Sequence, residues 1–521
     1  MKTMKKILSL VMGLVMALAM SVTAFAAGEN YSITIENPVP GHTYEAYQIF
    51  AGDLTMKDGN KVLSNITWGS GVDTANLPEN LKDAAAVAEQ LTENTMTAAE
   101  FAKTVAPYLK ADGVKTSNAV TGGYTISGLD AGYYLVKDRD NSLNDADDFY
   151  TAYIMEVVGD VTAKPKGDKP SLNKQIKDND KDTWGVVGDN QIGDTVEFRT
   201  ISTVPNTEGY TKYDYIISDT MSKGLTSNVR SAGDVTIKVG GEDGAVLDQS
   251  YYTVDATDNS FTVKINILEA INDGKMNAGD KLYTYYTGVL NKDARAYDED
   301  KQDNTAHLEY SNNPNNTEDK GRTPDSKVYD WTFKMDVHKV DKNNNRLEGA
   351  KFVLSKNGSL NVADMSCDEN GVPSVTTDLI GLVRNADGDY VVATADANKA
   401  DIVYAIDAGY ATIKGLDDVM DYYLYETKAP EGYNLLSQPV QFKINAEYEP
   451  DGSALQEGYP TVTVDKGQPS TNLSTDVVNQ SGAELPSTGG IGTTIFYVVG
   501  GLLVVGAGIV LVTKKRMGKA E

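Results

Sequence analysis

Cysteine, histidine and tryptophan are scarce in this chain. Its 521 residues include one Cys, three His and three Trp. A single cysteine, Cys367, excludes an intramolecular disulfide framework and any metal site that needs several cysteines. The histidines (His42, His307 and His338) are scattered, which argues against a His-rich metal centre and against a His-based catalytic triad. The sequence therefore predicts no metal site, no cofactor and no conventional enzyme active site.

Basic residues are also in short supply. The chain has 47 Lys and Arg against 74 Asp and Glu, a formal charge of -27. Such acidity argues against a nucleic-acid partner, because phosphate backbones are bound through Lys and Arg. The hydrophobic content of 40% is enough for packed cores, and 30 tyrosines are typical of half-buried β-strands. The length indicates about three or four domains.

The N-terminal segment has the composition of a secretion signal. Three lysines within the first six residues precede an apolar run over 7–20, and Ala24-Phe25-Ala26 supplies the small residues that a signal peptidase requires. The alternative is an uncleaved N-terminal membrane anchor. The short apolar run and the cleavage pattern favour a signal peptide over residues 1–26.

The C-terminal segment combines a short motif, an apolar run and a basic tail. Leu485-Pro486-Ser487-Thr488-Gly489 is followed by an apolar stretch over 491–512, long enough to span a bilayer, and then by basic residues within 513–521. A plain single-pass tail anchor would share the last two features. The three together resemble the cell-wall sorting signal of Gram-positive surface proteins. The resemblance implies that a sortase cuts between Thr488 and Gly489 and transfers the Thr488 carboxyl to an amine, so the chain contacts the membrane only before sorting.

Removing both terminal segments makes the protein more acidic. Residues 1–26 and 489–521 together hold seven Lys or Arg and one Glu, which leaves 40 basic and 73 acidic residues over 27–488. The expected mature product of 462 residues (488 minus 26) thus has a charge of -33.

Between the two ends the sequence predicts a mainly β protein of three tandem Ig-like β-sandwich domains. Short runs of alternating apolar and polar residues, separated by turn clusters, are typical of sandwich strands. We place the domains at 27–165, 171–325 and 326–484, with a linker at 166–170. The first domain contains a helical insert, because Phe101, Ala102, Val105, Tyr108 and Leu109 recur at helical spacing.

The last domain carries the most informative string, Tyr-Leu-Tyr-Glu-Thr-Lys-Ala-Pro-Glu-Gly-Tyr over 423–433. It places Glu426 in a strand with aromatic neighbours, while Lys339 lies in the first strand of the domain and Asn479 in the last. Taken singly, Lys339 and Glu426 are compatible with solvated strand positions. Together the three resemble the B-type domain of collagen adhesins and Gram-positive pilins. The resemblance implies that Lys339 attacks Asn479, with Glu426 as catalytic acid, and forms an isopeptide bond with loss of ammonia.

The middle domain resembles the related A-type module. Lys174 lies in its first strand, Asn304 begins its closing strand, and Asp219 matches the catalytic acid of the family. The resemblance implies a Lys174–Asn304 bond, with a cap on the turn that follows Asp219 as the alternative role for that residue. The first domain lacks such a set, because its first strand, 31–36, has no lysine; we expect no cross-link there.

A lysine at the boundary of the first two domains is the candidate acceptor for sortase. The stretch 157–166 resembles the motif that supplies the acceptor lysine in pilin subunits, and Pro165-Lys166 matches it. The Trp and Tyr of that motif are absent, so Lys164 and Lys169 remain rivals of Lys166, and a plain linker lysine is the alternative.

The resemblance implies two classes of function. The favoured one is the major structural subunit of a sortase-assembled pilus on the Gram-positive cell surface, with identical subunits, minor pilins, sortase and peptidoglycan as partners. The other is a wall-anchored monomeric adhesin or a basal pilin that binds a host or surface ligand. In neither is the chain an enzyme, apart from single-turnover closure of its own isopeptide bonds.

Overall fold

The computed structural model describes residues 30–37, 41–57, 59–93, 95–96, 98–139, 152–163, 169–207, 210–313, 318–481 and 491–517. The described residues divide into two compact units, within Met1–Thr332 plus Tyr448–Gln456 and within Phe333–Glu447 plus Glu457–Glu521. The predicted signal peptide, Lys164, Lys166 and the Leu485–Gly489 motif lie outside the described residues.

The first two sheets form a sandwich between residues 31 and 163, ordered β5-β6-β1-β9 and β3-β2-β7-β8, with β4 paired to β2. Strand β1 runs parallel to β9. Phe101 and Val105 of α2 are fully buried in the core, which confirms the predicted helical face. The elements are β1 Tyr31–Ile35, β2 Tyr44–Lys57, β3 Asn60–Trp68, α1 Ala84–Thr92, α2 Ala98–Val105, β4 Val114–Thr116, β5 Asn118–Val120, β6 Gly123–Leu129, β7 Gly132–Asp138, β8 Ala152–Val157 and β9 Val161–Ala163.

The next two sheets use residues 172–331 and share no strand with the first pair. One contains β11-β10-β13-β20-β16-β17 with β15 on β20, and the other β12-β23-β21-β14-β19-β18 with β22 on β21. The elements are β10 Leu172–Asp178, β11 Thr183–Gly185, β12 Val187–Asp189, β13 Thr195–Thr203, β14 Tyr215–Met221, β15 Leu225–Ser227, β16 Thr236–Val239, β17 Ala245–Val246, β18 Tyr252–Ala256, β19 Ser260–Ile265, α3 Ile267–Asn272, β20 Lys281–Leu290, β21 Gln302–Ser311, β22 Lys320–Arg322 and β23 Ser326–Trp331.

The second unit has its own pair of sheets, β26-β27-β29-β24-β33 and β28-β25-β30-β31-β32. Its first and last strands, β24 and β33, are parallel neighbours. The elements are β24 Phe333–Asp341, β25 Ala350–Ser355, β26 Leu382–Arg384, β27 Tyr390–Val392, β28 Ile406–Ala408, β29 Tyr410–Leu416, β30 Asp421–Lys428, β31 Val440–Asn445, β32 Thr461–Val464, β33 Ser474–Asn479 and the helix α4 Ile491–Met517. Within α4, Val498–Lys515 is long and apolar enough to cross a membrane, as the predicted span over 491–512 requires.

The predicted mainly β fold with a helical insert is confirmed. One boundary moves: β23, which we placed at the start of the last domain, pairs with β12 and β21 of the middle sheets. Val328 and Asp330 of this strand face the middle core opposite Asn304 and Gln302, so burial holds the segment there. The division of residues 27–484 into three domains otherwise remains a prediction.

Candidate functional site

A lysine takes the place of a core residue in the first strand of the second unit. In β24 the side chains of Phe333, Met335 and Val337 are fully buried at alternate positions, and Lys339 continues that series with no exposed surface. Successive strand residues point to opposite faces, so this alternation directs the lysine inward as it would direct a leucine. An ammonium buried among apolar groups is costly unless it is paired or loses its charge.

Two other strands bring the predicted partners to this lysine. Asn479 lies on β33, the parallel neighbour of β24, and Glu426 lies on β30 of the facing sheet. Lys339 Nζ donates hydrogen bonds to Asn479 Oδ1 at 2.6 Å and to the backbone carbonyl of Val477 at 2.7 Å. Asn479 Nδ2 donates to both oxygens of Glu426, at 2.9 and 3.0 Å. The three side chains predicted from the sequence thus form one buried cluster.

Burial shifts both ionisable groups of this cluster toward their neutral forms. Desolvation lowers the pKa of Lys339 to about 8, against an opposing effect of Glu426, whose carboxylate lies 3.7 Å from Nζ. Desolvation also raises the pKa of Glu426, although hydrogen bonds from Asn479 and from the backbone N–H of Leu436 act in the other direction. Phe352 lies opposite Glu426 in the sheet, and its ring centre is 5.9 Å from Nζ. A neutral amine and a neutral carboxyl on either side of an amide are the groups that acyl transfer requires.

The middle sheets bury a second lysine in the same way. Lys174 is inward-facing on β10 with no exposed surface, and Nζ donates to Asp219 Oδ2 at 2.5 Å across the sandwich. Asp219 lies on β14 and is itself buried, so it binds Lys174 directly. This placement favours the predicted role over a turn cap, because the carboxyl points into the core.

The third predicted residue, Asn304, lies on the same inward face as Asp219. It is opposite Met221 on the antiparallel neighbour β14, two residues along from Asp219, and it is buried. Among the described residues its amide makes no hydrogen bond of ordinary geometry. In the middle site the lysine therefore donates a hydrogen bond to the carboxylate of Asp219. In the second unit the lysine donates to the amide oxygen of Asn479.

Tyr286 is a residue of the middle site that the sequence reasoning missed. It lies on β20 with its ring fully buried, and its hydroxyl accepts a hydrogen bond from Lys174 Nζ and donates one to Asp219 Oδ2. Desolvation lowers the pKa of Lys174, and desolvation together with the Asp219 carboxylate raises the pKa of Tyr286 well above its ordinary range. The alternation of β20, Leu282–Thr284–Tyr286, marked this tyrosine as inward-facing, but the sequence does not say what it faces.

The first pair of sheets has buried polar groups of another kind. Asp138 and His42 form a hydrogen bond of 2.8 Å, and Arg139 binds Glu45. No lysine is buried among the described residues of 30–163, in line with the absence of a first-strand lysine in the sequence. Of the three candidate acceptor lysines only Lys169 is described, and it is exposed.

Comparisons with known protein families match two stretches of the C-terminal part of the chain. Residues 333–458 match the SpaA family, a prealbumin-like fold domain, and residues 477–517 match the LPXTG cell wall anchor motif. The chain therefore carries a SpaA-type domain followed by a cell-wall anchor, which identifies it as a cell-wall-anchored surface protein. The SpaA match contains Lys339 and Glu426, and the anchor match begins two residues before Asn479.

Relatives and solved structures point to fimbrial proteins. The chain is 29% identical over 190 residues to the fimbrial subunit type 1 of Actinomyces viscosus, an alignment that covers 33% of each chain. It is 26% identical over 404 residues to the trypsin-resistant surface T6 protein of Streptococcus pyogenes serotype M6, covering 68% of this chain and 70% of that one. The solved T6 backbone pilin of the same serotype, described as a modular three-domain structure, is similar in fold: the TM-score is 0.51 at 17% identity, covering 88% of this chain and all of the pilin.

Proposed function

We propose that this chain is the major structural subunit of a covalently polymerised cell-surface pilus whose domains are closed by self-catalysed Lys–Asn isopeptide bonds. The observation that carries the proposal is the buried contact of Lys339 with Asn479 beneath Glu426, in a domain that is followed by a cell-wall anchor. The fimbrial relatives and the backbone-pilin fold support the same conclusion.

The contacts in the second unit support the following reaction. A proton passes from the Lys339 ammonium to Glu426, leaving a neutral amine and a carboxylic acid. The amine attacks Asn479 Cγ, and the carboxylic acid, which contacts Nδ2, gives its proton to that nitrogen. The Cγ–Nδ2 bond breaks and ammonia leaves, Glu426 takes the second Nζ proton, and an Nζ–Cγ amide remains. In the middle sheets Lys174, Asn304 and Asp219 would react in the same way.

The positions of the bonds fit a fibre under tension. If Thr488 of one subunit is joined to Lys166 of the next, force enters at Lys166 and leaves at Thr488. The Lys339–Asn479 bond then connects the first strand of the second unit to its last strand, β33. The Lys174–Asn304 bond connects the first strand of the middle sheets to β21, ahead of β22 and β23, so that tension passes along a covalent bond across most of each domain. The first domain lies outside this route, which explains why it can do without a cross-link.

Intact mass tests the internal bonds. Each one removes an ammonia molecule, so the mature chain should be lighter than its calculated mass by about 17 Da per bond, or about 34 Da in all. Digestion should release two branched peptides, one containing Lys174 and Asn304 and the other Lys339 and Asn479. A mass equal to the calculated value would overturn both bonds.

Polymerisation tests the pilus. Cells that express the chain with its sortase should yield a ladder of high-mass species that resists SDS, with a branched peptide joining Thr488 to Lys166. The Lys166→Ala variant should abolish the ladder, whereas Lys164→Ala and Lys169→Ala should leave it unchanged; loss of the ladder in one of these two instead would move the acceptor. Monomer alone, linked to peptidoglycan through Thr488, would mean the wall-anchored adhesin.

A further inference from the structure

We propose that Tyr286 is a third catalytic residue of the middle site, relaying a proton from Lys174 to Asp219 and holding the resulting amine toward Asn304. The proposal rests on the Lys174–Asn304 bond put forward above, and it adds a residue that neither the sequence motif nor the matching families assign.

The geometry gives Tyr286 contact with two reacting groups at once. Its hydroxyl oxygen accepts from Lys174 Nζ while its proton is donated to Asp219 Oδ2. All three groups are fully buried, so water does not compete for these bonds. The Tyr286 hydroxyl is also near enough to Asn304 for that amide to affect its pKa, although the two form no hydrogen bond of ordinary geometry.

This arrangement allows a proton to move without leaving a charge on tyrosine. As one ammonium proton passes from Lys174 to the Tyr286 oxygen, the Tyr286 proton passes to Asp219 Oδ2. The products are a neutral amine, an unchanged tyrosine and a carboxylic acid. Burial and Asp219 disfavour the tyrosinate form, as the raised pKa of Tyr286 shows, so a concerted relay suits this site better than an ionised tyrosine.

The tyrosine hydroxyl then orients the amine. Directly after the transfer the Nζ lone pair faces the new Tyr286 O–H; rotation about the Cε–Nζ bond replaces it with an N–H that donates to the Tyr286 oxygen, which turns the lone pair toward Asn304. The protonated Asp219 lies on the same inward face as Asn304, two residues along the neighbouring strand. The amine attacks Cγ, a second Nζ proton leaves with Nδ2 as ammonia, and the third proton stays on the new amide.

The second unit shows why a tyrosine is needed in one site only. There Glu426 contacts the asparagine directly, and Lys339 already donates to Asn479 Oδ1. The aromatic ring beside Lys339 is Phe352, which has no hydroxyl. In the middle site the shorter Asp219 is occupied by Lys174, and Tyr286 supplies the additional polar group.

The test follows bond closure in chain 27–488 that has never folded, produced as insoluble protein and kept in urea until dilution into buffer, because a bond that is already closed survives urea. Samples are quenched in acid and both branched peptides are quantified. Tyr286→Phe removes only the hydroxyl and should slow the middle bond by about 10² or more, the lower range for a positioned acid–base group, without changing the bond in the second unit. Tyr285→Phe is the matched control, because its side chain is on the opposite face of the same strand and contacts Trp184. Tyr286→His, which restores a group able to transfer a proton, should recover part of the rate.

The outcomes separate this proposal from the one on which it rests. If the wild-type chain forms no Lys174–Asn304 peptide, the middle bond itself is wrong. If the wild-type chain forms it and Tyr286→Phe closes it as fast as Tyr285→Phe does, the role of Tyr286 is overturned. Equal slow rates for Tyr286→Phe and Tyr286→His would also overturn the relay. Tyr286→Phe in an Asn304→Ala background, where no bond can form, should lose only the modest stability that two buried hydrogen bonds contribute and should still fold in the assay buffer. Failure of that double variant to fold would assign the tyrosine to packing and overturn the proposal.

Discussion

Lys174 and Lys339, both buried in the part of the chain that the structure describes, face the same chemical problem with differently placed groups. In the second unit the carboxyl of Glu426 contacts the asparagine, and the lysine reaches the amide oxygen unaided. In the middle sheets Asp219 contacts the lysine, a tyrosine hydroxyl bridges the two, and Asn304 stands apart. The comparison teaches that a buried Lys, a carboxyl and an Asn are not enough to define a site, because the acid contacts the asparagine in one site and the lysine in the other.

Replacing the acid of one site with alanine should abolish the isopeptide bond of that site and leave the bond of the other site intact. Glu426→Ala should retain one ammonia, about 17 Da, and lose the Lys339–Asn479 peptide, because no group remains to take the lysine proton and polarise the amide. Asp219→Ala should do the same for the middle site. Intact mass and peptide mapping check this, with the exposed Glu431 as a matched control through Glu431→Ala. Loss of both bonds from one substitution would show that the sites are coupled.

Removing the bond should cost the two domains unequal amounts of stability. The closed loops are of similar length, 140 residues between Lys339 and Asn479 and 130 (304 minus 174) in the middle, so chain entropy alone predicts about 5 kcal/mol for each. Asn479→Ala also removes the side-chain acceptor of Lys339, whereas Asn304→Ala leaves Lys174 paired with Asp219. Asn479→Ala should therefore be the more destabilising, as measured by denaturant unfolding. Equal losses of unfolding free energy would mean that the ion pair left in the Asn304→Ala variant, Lys174 with Asp219, does not stabilise the protein.

The pH dependence of bond closure should be bell-shaped in the second unit. The reaction needs one proton shared by Lys339 and Glu426. Below the raised pKa of Glu426 both groups are protonated and no neutral amine forms; above the Lys339 pKa of about 8 the pair has lost that proton and no acid remains. Refolding into buffers of different pH, followed by peptide quantification, should show rates that fall on both sides. A rate that keeps rising well above pH 8 would refute the role of Glu426 as acid.

Shortening Glu426 or lengthening Asp219 by one methylene should have the smallest effect on bond closure. Glu426→Asp shortens the reach of the carboxyl to Asn479. Asp219→Glu forces a methylene into the packed contact with Tyr286. Each variant should slow the closure of the bond in its own site about tenfold or more without preventing folding. Closure rates measured in the same refolding assay check this, each site serving as the control for the other. Unchanged rates would show that the reach of the acid does not distinguish the sites.

Much of this arrangement could be predicted from the sequence, because alternation allows inward positions for Lys339, Glu426 and Asn479, although Lys339 and Glu426 taken singly also suit solvated positions. The string around Glu426 and the domain-end positions of its partners supplied the rest. Tyr286 could not be predicted, since its role depends on which sheet faces β20 and at what register. The position of β23 was missed for the same reason: the sequence shows a strand, and only its pairing with β21 assigns it to the middle core.

The parallel pairing of β24 and β33 has a mechanical consequence of its own. Asp336 lies beside Ser474 and Asp341 beside Asn479, so both strands run in one direction. A pull on the start of β24 and the end of β33 slides the strands past each other, and every backbone hydrogen bond of the ladder is strained together in shear. An antiparallel pair pulled from adjacent ends would open one bond at a time, as a zipper does. The ladder thus resists extension even before any covalent bond has formed, and an uncross-linked subunit should yield abruptly and not gradually.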